Sequence, residues 1–177
     1  MAKRTDIRQF QAQLAQALQA AQQGKGQEGA RWLAVLAGRH RVLLPLAETA
    51  GVIHEFALHS VPFAPAAYRG VTNVRGELYD VVDLAVAVGA TPTALTSSAR
   101  LVLAASAIAP RLALLATQVM GLRRVTDLRP EPAAADETAP RFSDENGNLW
   151  QEVAVRSLLE DVVRTFMTPH LFTEVAP

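Results

Sequence analysis

The chain reads as rich in strands and hairpins, and three features predict it. Trp32 to Leu36 and Val42 to Leu46 are apolar runs joined through Gly38-Arg39-His40, the pattern of a hairpin. Leu101 to Ala105 and Leu112 to Ala116 repeat that pattern across Ala109-Pro110-Arg111, and two similar hairpins in one chain suggest two similar small barrels. Between the hairpins, Tyr68 to Leu84 is punctuated by Gly70 and Gly76, residues that permit positive φ or close backbone approach.

The elements follow in order. From Asp6 to Gln23 the residues Ile7, Phe10, Leu14, Ala17, Leu18 and Ala21 recur at helical spacing among glutamines, which predicts an amphipathic helix. Its apolar stripe docks either on its own domain or on a partner. Gly24 to Gly29 is a flexible linker; its glycine-lysine pair lacks the spacing and hydroxyl of a phosphate loop. A third strand is expected over Val52 to Phe56. Gly70 and Gly76 bracket a short extended piece with an exposed bend at Arg75-Gly76. Beyond it Leu78, Val81, Val82 and Leu84 place apolar groups on both faces, as in a strand buried on both sides. Arg75 is thereby put on the rim of a rigid core.

Asp83 followed by Leu84 to Val88 and Gly89 has the form of a capped helical turn with a glycine exit. Ala90 to Ala99 is a polar connector. Arg129 to Pro140 has no apolar period and is proline-rich, so it reads as a mobile loop and the first place for a protease to cut. Asp144 to Asn148 carries the Asn-Gly pair of a tight turn. It superficially resembles a calcium loop, but the ligand order is wrong and no closing glutamate follows. Leu149 to Val155 continues as a strand. Ser157-Leu158-Leu159-Glu160 then reads as a capping box opening a helix to about Met167, with Leu159, Val162, Val163 and Phe166 on one face and Pro169 beyond its end.

With 177 residues, one compact unit is expected, either a single core or two small barrels sharing one. Its parts are 1–29 (helix and linker), 30–170 (the domain) and 171–177 (a tail). The 17 basic and 17 acidic residues cancel, which argues against a nucleic-acid partner. Absent cysteines exclude disulfides, thiolate zinc sites and cysteine nucleophiles, and suit a reducing cytoplasm. Met-Ala-Lys-Arg-Thr-Asp leads into glutamine-rich sequence, so no signal peptide is expected, and no segment nears the roughly 18 apolar residues of a membrane span.

No active site assembles. The four histidines are scattered without metal-pair spacing, Ser97 and Ser98 lack a nucleophile elbow, and Asp80 and Asp83 fall on opposite faces of a strand. Arg75 either holds a carboxylate of its own chain or faces a partner.

The run V-P-F-A-P-A-A-Y-R-G-V-T-N-V-R-G-E-L-Y-D-V-V-D-L, Val61 to Leu84, resembles the signature of CheW-like domains, the coupling proteins of bacterial chemosensory arrays. Asn73-Val74-Arg75-Gly76 and Val81-Val82-Asp83-Leu84 are its most specific parts. The Asn-Val-Arg-Gly-Glu-Leu-Tyr wording, the added N-terminal helix and the Trp150 segment are more like the pilus-associated PilI branch than the flagellar branch. The resemblance implies an all-β protein with minor helix, two five-stranded SH3-like β-barrels packed together, with short helices and a C-terminal helix. It implies a non-enzymatic cytoplasmic adaptor without cofactor, recruited to the inner membrane through receptor arrays. Its partners would be the signalling tip of a methyl-accepting chemoreceptor and the regulatory domain of a CheA-like histidine kinase. On this chain Asn73, Arg75 and Gly76 match the receptor-binding motif, Glu55 falls near a family acidic position, and Val52 and Ile53 correspond to a groove wall. The rivals are a flagellar-type coupling protein, a small-barrel nucleic-acid binder, which would need basic and aromatic residues on an exposed sheet, and an enzyme with a site assembled from distant loops.

Overall fold

The computed structural model describes residues 30–132 and 139–160. The expected N-terminal helix, its linker, His170, and Val162, Val163 and Phe166 lie outside the described residues. The strands are β1 (Ala30–Ala37), β2 (His40–Pro45), β3 (Thr49–Ile53), β4 (Tyr68–Val74), β5 (Glu77–Asp83), β6 (Arg100–Ala104), β7 (Leu112–Ala116), β8 (Gln118–Arg124), β9 (Arg129–Glu131), β10 (Arg141–Ser143) and β11 (Leu149–Glu152). A short helix α1 spans Leu84–Ala87, and residues 155–160 are helical, α2.

The all-β class with minor helix is as expected, in two sheets. One has six strands in the order β8-β1-β2-β11-β10-β9 and the other five, β3-β6-β7-β5-β4. The five-stranded sheet is inserted whole between β2 and β8. Each contains one of the two similar hairpins, β1 with β2 and β6 with β7, both antiparallel.

Period-two alternation explains how continuous apolar runs serve here. Leu33, Val35, Val42 and Leu44 of the first hairpin and Val102, Ala104, Leu112 and Leu114 of the second turn the same way into one shared core with Val82, Leu84, Val155 and Leu158. Their neighbours point oppositely: Trp32, Ala34 and Leu43 join Leu128 and Trp150 in a second cluster, and Leu101, Ala113 and Leu115 join Val81 and Ala99 in a third. Both faces of these hairpins are buried, so alternating polar positions would be costly.

Several expectations need correction. The third strand is Thr49–Ile53 rather than Val52 to Phe56; residues 54 and 55 bend away from it. Leu78 is 61% exposed, so only the latter half of β5 is buried on both sides. Arg129–Glu131, read as loop, pairs with β10 as a sheet edge. The last strand stops at Glu152 and Val155 is already helical. Ser157 therefore lies inside α2 and no capping box opens that helix; the carboxylate of Glu48 accepts the Val155 N–H at 2.6 Å instead. The Asn146-Gly147 turn is as expected: Gly147 has φ 74° and its N–H reaches the Asp144 carbonyl at 3.0 Å.

Candidate functional site

The site grows from the edges of the five-stranded sheet. β3 ends at Ile53, and the chain then runs back beside β4: the N–H groups of His59 and Val71 each donate to the other's carbonyl at 2.9 Å, and the Thr72 hydroxyl donates to the Ala57 carbonyl at 2.7 Å. Gly70 makes this approach possible. At φ 119°, a Cβ added there would lie 2.0 Å from the His59 carbonyl oxygen. The segment 54–58 is thereby stitched to β4.

The turn between β4 and β5 supplies the rim. Arg75 has φ 55° and Gly76 φ 91°, and the Asn73 side-chain oxygen accepts the Gly76 N–H at 2.9 Å. This Asx-type bond holds a left-handed pair that arginine alone would adopt at a cost. The Arg75 side chain makes no ion pair among the described residues, so no described carboxylate tethers it.

The far wall comes from the polar connector. Asp83 accepts the Ala85 N–H at 3.0 Å, the cap expected from sequence. The same buried carboxylate also takes the Thr93 N–H at 2.8 Å and the Thr93 hydroxyl at 2.7 Å, and pairs with Arg69 at 2.9 Å. A buried carboxylate is tolerated when its lone pairs are filled in this way. Its effect is to anchor the start of the connector, while Arg100 fastens the end by donating to the Ser97 and Ala99 carbonyls at 2.6 and 2.7 Å.

Between these walls lies an open cavity of about 840 Å³. Val52, Ile53, Glu55 and Arg75 all line it; Asn73 and Gly76 do not, and serve instead to shape the turn. The structure adds His54, Leu95 and Arg100 to the lining. Leu95 is 55% exposed, and a lone leucine in a polar connector was its only signal in the sequence. His54 contributes an imidazole that burial and Arg100 push below its usual value, against the opposing pull of Glu55. The lining thus combines apolar walls, two guanidiniums, one carboxylate and the His54 imidazole. Among the described residues no cluster of His, Asp or Glu has a metal-holding arrangement, and no helix is long and apolar enough to cross a membrane.

The fold has a known counterpart. The crystal structure of the scaffolding protein TtCheW from Thermoanaerobacter tengcongensis matches with a TM-score of 0.60 at 16% identity, covering 74% of this chain and 92% of that one. At that identity the likeness is one of fold. No curated protein matches the chain. The family model described as CheW-like domain matches residues 31–162, a span that takes in both sheets, the Arg75 turn and the whole cavity lining. The chain therefore belongs to the CheW-like domain family.

Proposed function

We propose that this chain is a non-enzymatic adaptor that couples a methyl-accepting chemoreceptor to a CheA-like histidine kinase. The observation that carries the reading is the convergence of Arg75, Val52, Ile53 and Glu55 on one groove in a CheW-like domain. An apolar cleft with a guanidinium at its rim suits a helical hairpin that offers an apolar stripe and a carboxylate. The receptor tip occupies this groove, and the kinase's regulatory domain docks elsewhere, on edge strands and end loops. Residues 30–170 form the domain, 1–29 an appended helix and linker, and 171–177 a tail. The adaptor works in the cytoplasm, gathered at the inner membrane by receptor arrays, without cofactor, nucleic acid or membrane insertion.

Type IV pilus motility is the proposed output, on the resemblance of Asn73 to Tyr79, the N-terminal segment and the Trp150 segment to the PilI branch. Cells lacking the protein should lose twitching and keep flagellar chemotaxis; the reverse result assigns it to the flagellar pathway. The adaptor mechanism itself requires both partners to be held together. Sedimentation of the full chain with purified receptor signalling domain and kinase should give a ternary complex, even where each binary contact is only micromolar. Mutually exclusive binding overturns the mechanism.

A further inference from the structure

The least satisfied group of the groove is His54. It follows directly on β3, and both its ring nitrogens are shielded from solvent without a hydrogen-bond partner among the described residues. A neutral imidazole so placed forgoes its hydrogen bonds; a protonated one would be a desolvated cation, which is far more costly. The charges around it come from three places: Glu55 beside it in the chain, Arg100 on β6 and Arg75 on the β4–β5 turn, all lining the same cavity. One carboxylate is set against two guanidiniums. The neighbours Ile53, Phe56 and Leu58 pack on the cluster of Val81 and Leu115, and His54 itself lines the cavity.

We propose that His54 is a proton-operated latch of this groove: neutral, its ring stays tucked into the wall and the groove accepts its partner; protonated, the ring is driven into the groove and the partner is released. The identity of the occupant rests on the receptor reading above, whereas the latch rests on the groove alone. An occupant filling the groove takes the space into which the protonated ring would move, so binding disfavours the protonated form. Affinity therefore falls as pH drops through the His54 titration, by at most about tenfold per pH unit for one proton. Arg100 acts in the same direction, since its charge disfavours the imidazolium, whereas Glu55 opposes it.

The full chain and a His54→Phe variant, which keeps a ring and cannot ionise, provide the test, with His54→Gln as the alternative if the phenyl ring is not accommodated. In the free wild-type chain, NMR of the histidine side chains should show His54 titrating below 6.5, its ordinary value, with the amides of Val52, Ile53 and Ala99 shifting in step. Titration at or above that value, or motionless amides, overturns the latch. Binding to the purified cytoplasmic signalling hairpin of a methyl-accepting chemoreceptor is then compared about one pH unit above and one below the pH at which His54 is found to titrate. Wild type should lose affinity at the lower pH, whereas the variant's affinity, whatever its level, should be the same at both. Equal losses in both proteins, or tighter wild-type binding at the lower pH, overturn the latch. No binding by either protein at either pH overturns the receptor reading instead, and the NMR titration still decides the latch.

Discussion

Arg75 and its neighbours separate what shapes the groove from what lines it. The strained backbone at Arg75 is held by the Asn73 to Gly76 bond, whereas the guanidinium makes no ion pair among the described residues. Arg75→Glu should therefore abolish receptor binding in a pull-down while changing stability by no more than about 0.5 kcal/mol. An unfolded mutant would mean that the side chain is an internal tether. The two glycines of the motif should behave differently from each other. Gly76→Ala meets nothing within 4 Å and should cost only its left-handed backbone, about 1 to 2 kcal/mol. Gly70→Ala forces apart the His59 contact and should cost on the order of 3 kcal/mol, read from urea midpoints. Asp144 gives a pH signature. Its partial burial raises its pKa, but bonds from the Asn148 amide, the Trp150 indole and the Asn148 and Asn146 N–H groups outweigh this and hold it at about 2. A depressed carboxylate contributes stability above its unfolded value of 3.8 and loses it as pH falls toward about 2. Asp144→Asn should thus be less stable than wild type at neutral pH, with the gap closing through that acid window; a gap independent of pH removes the ionised carboxylate from the account.

The elements legible in the sequence are those whose turn and apolar runs sit together. The β1–β2, β4–β5 and β6–β7 hairpins and the Asn146-Gly147 turn need only local reading. β8 was hidden because its partner is remote: Leu33 pairs with Leu122 across the chain, and Gly121 with a register shift interrupts any clean alternation. β9 and β10 have three residues each, and Pro130 argues against a strand everywhere except at a sheet edge, which is where it lies. The groove was half legible. The Arg75 turn was marked by its glycines and its family resemblance, but Leu95 lies on the connector anchored by Asp83 and Thr93, and Arg100 is brought in by the pairing of β6 with β3, neither of which any spacing reveals. Helix α2 shows the same limit, since a local Ser-x-x-Glu motif suggested a cap that a residue 107 positions away supplies. Glu48→Ala should destabilise the chain by about 1 to 2 kcal/mol, Glu48→Gln by less, and Ser157→Ala by under about 0.5 kcal/mol. A Ser157 effect as large as that of Glu48 in urea denaturation would restore the local cap.

At the scale of the whole molecule, the interleaved chain order decides how the two sheets unfold. β2 passes into β3 through a single 3₁₀ turn, and β7 returns to β8 through Thr117, whose N–H donates to the Leu36 carbonyl at 2.8 Å and whose hydroxyl accepts the Gly38 N–H at 2.9 Å. The largest core draws side chains from both sheets, so neither sheet can open without exposing the face it shares with the other. Independent unfolding would lose that burial at about 25 cal/mol per Å² of apolar surface, and the chain should melt as one unit. The two tryptophans make this testable, because Trp32 and Trp150 both lie in the cluster on the outer side of the six-stranded sheet. Leu115 is fully buried in the separate cluster on the five-stranded sheet, and Leu115→Ala should cost about 2 to 5 kcal/mol through lost contact and cavity. If the sheets are coupled, the tryptophan fluorescence transition moves to lower urea in step with far-UV circular dichroism, although no tryptophan belongs to the Leu115 cluster. A circular dichroism shift that leaves the tryptophan transition in place would mean two separately folding sheets. Rigid coupling through the shared core would then be lost as a means for events at the Arg75 groove to affect the rest of the molecule.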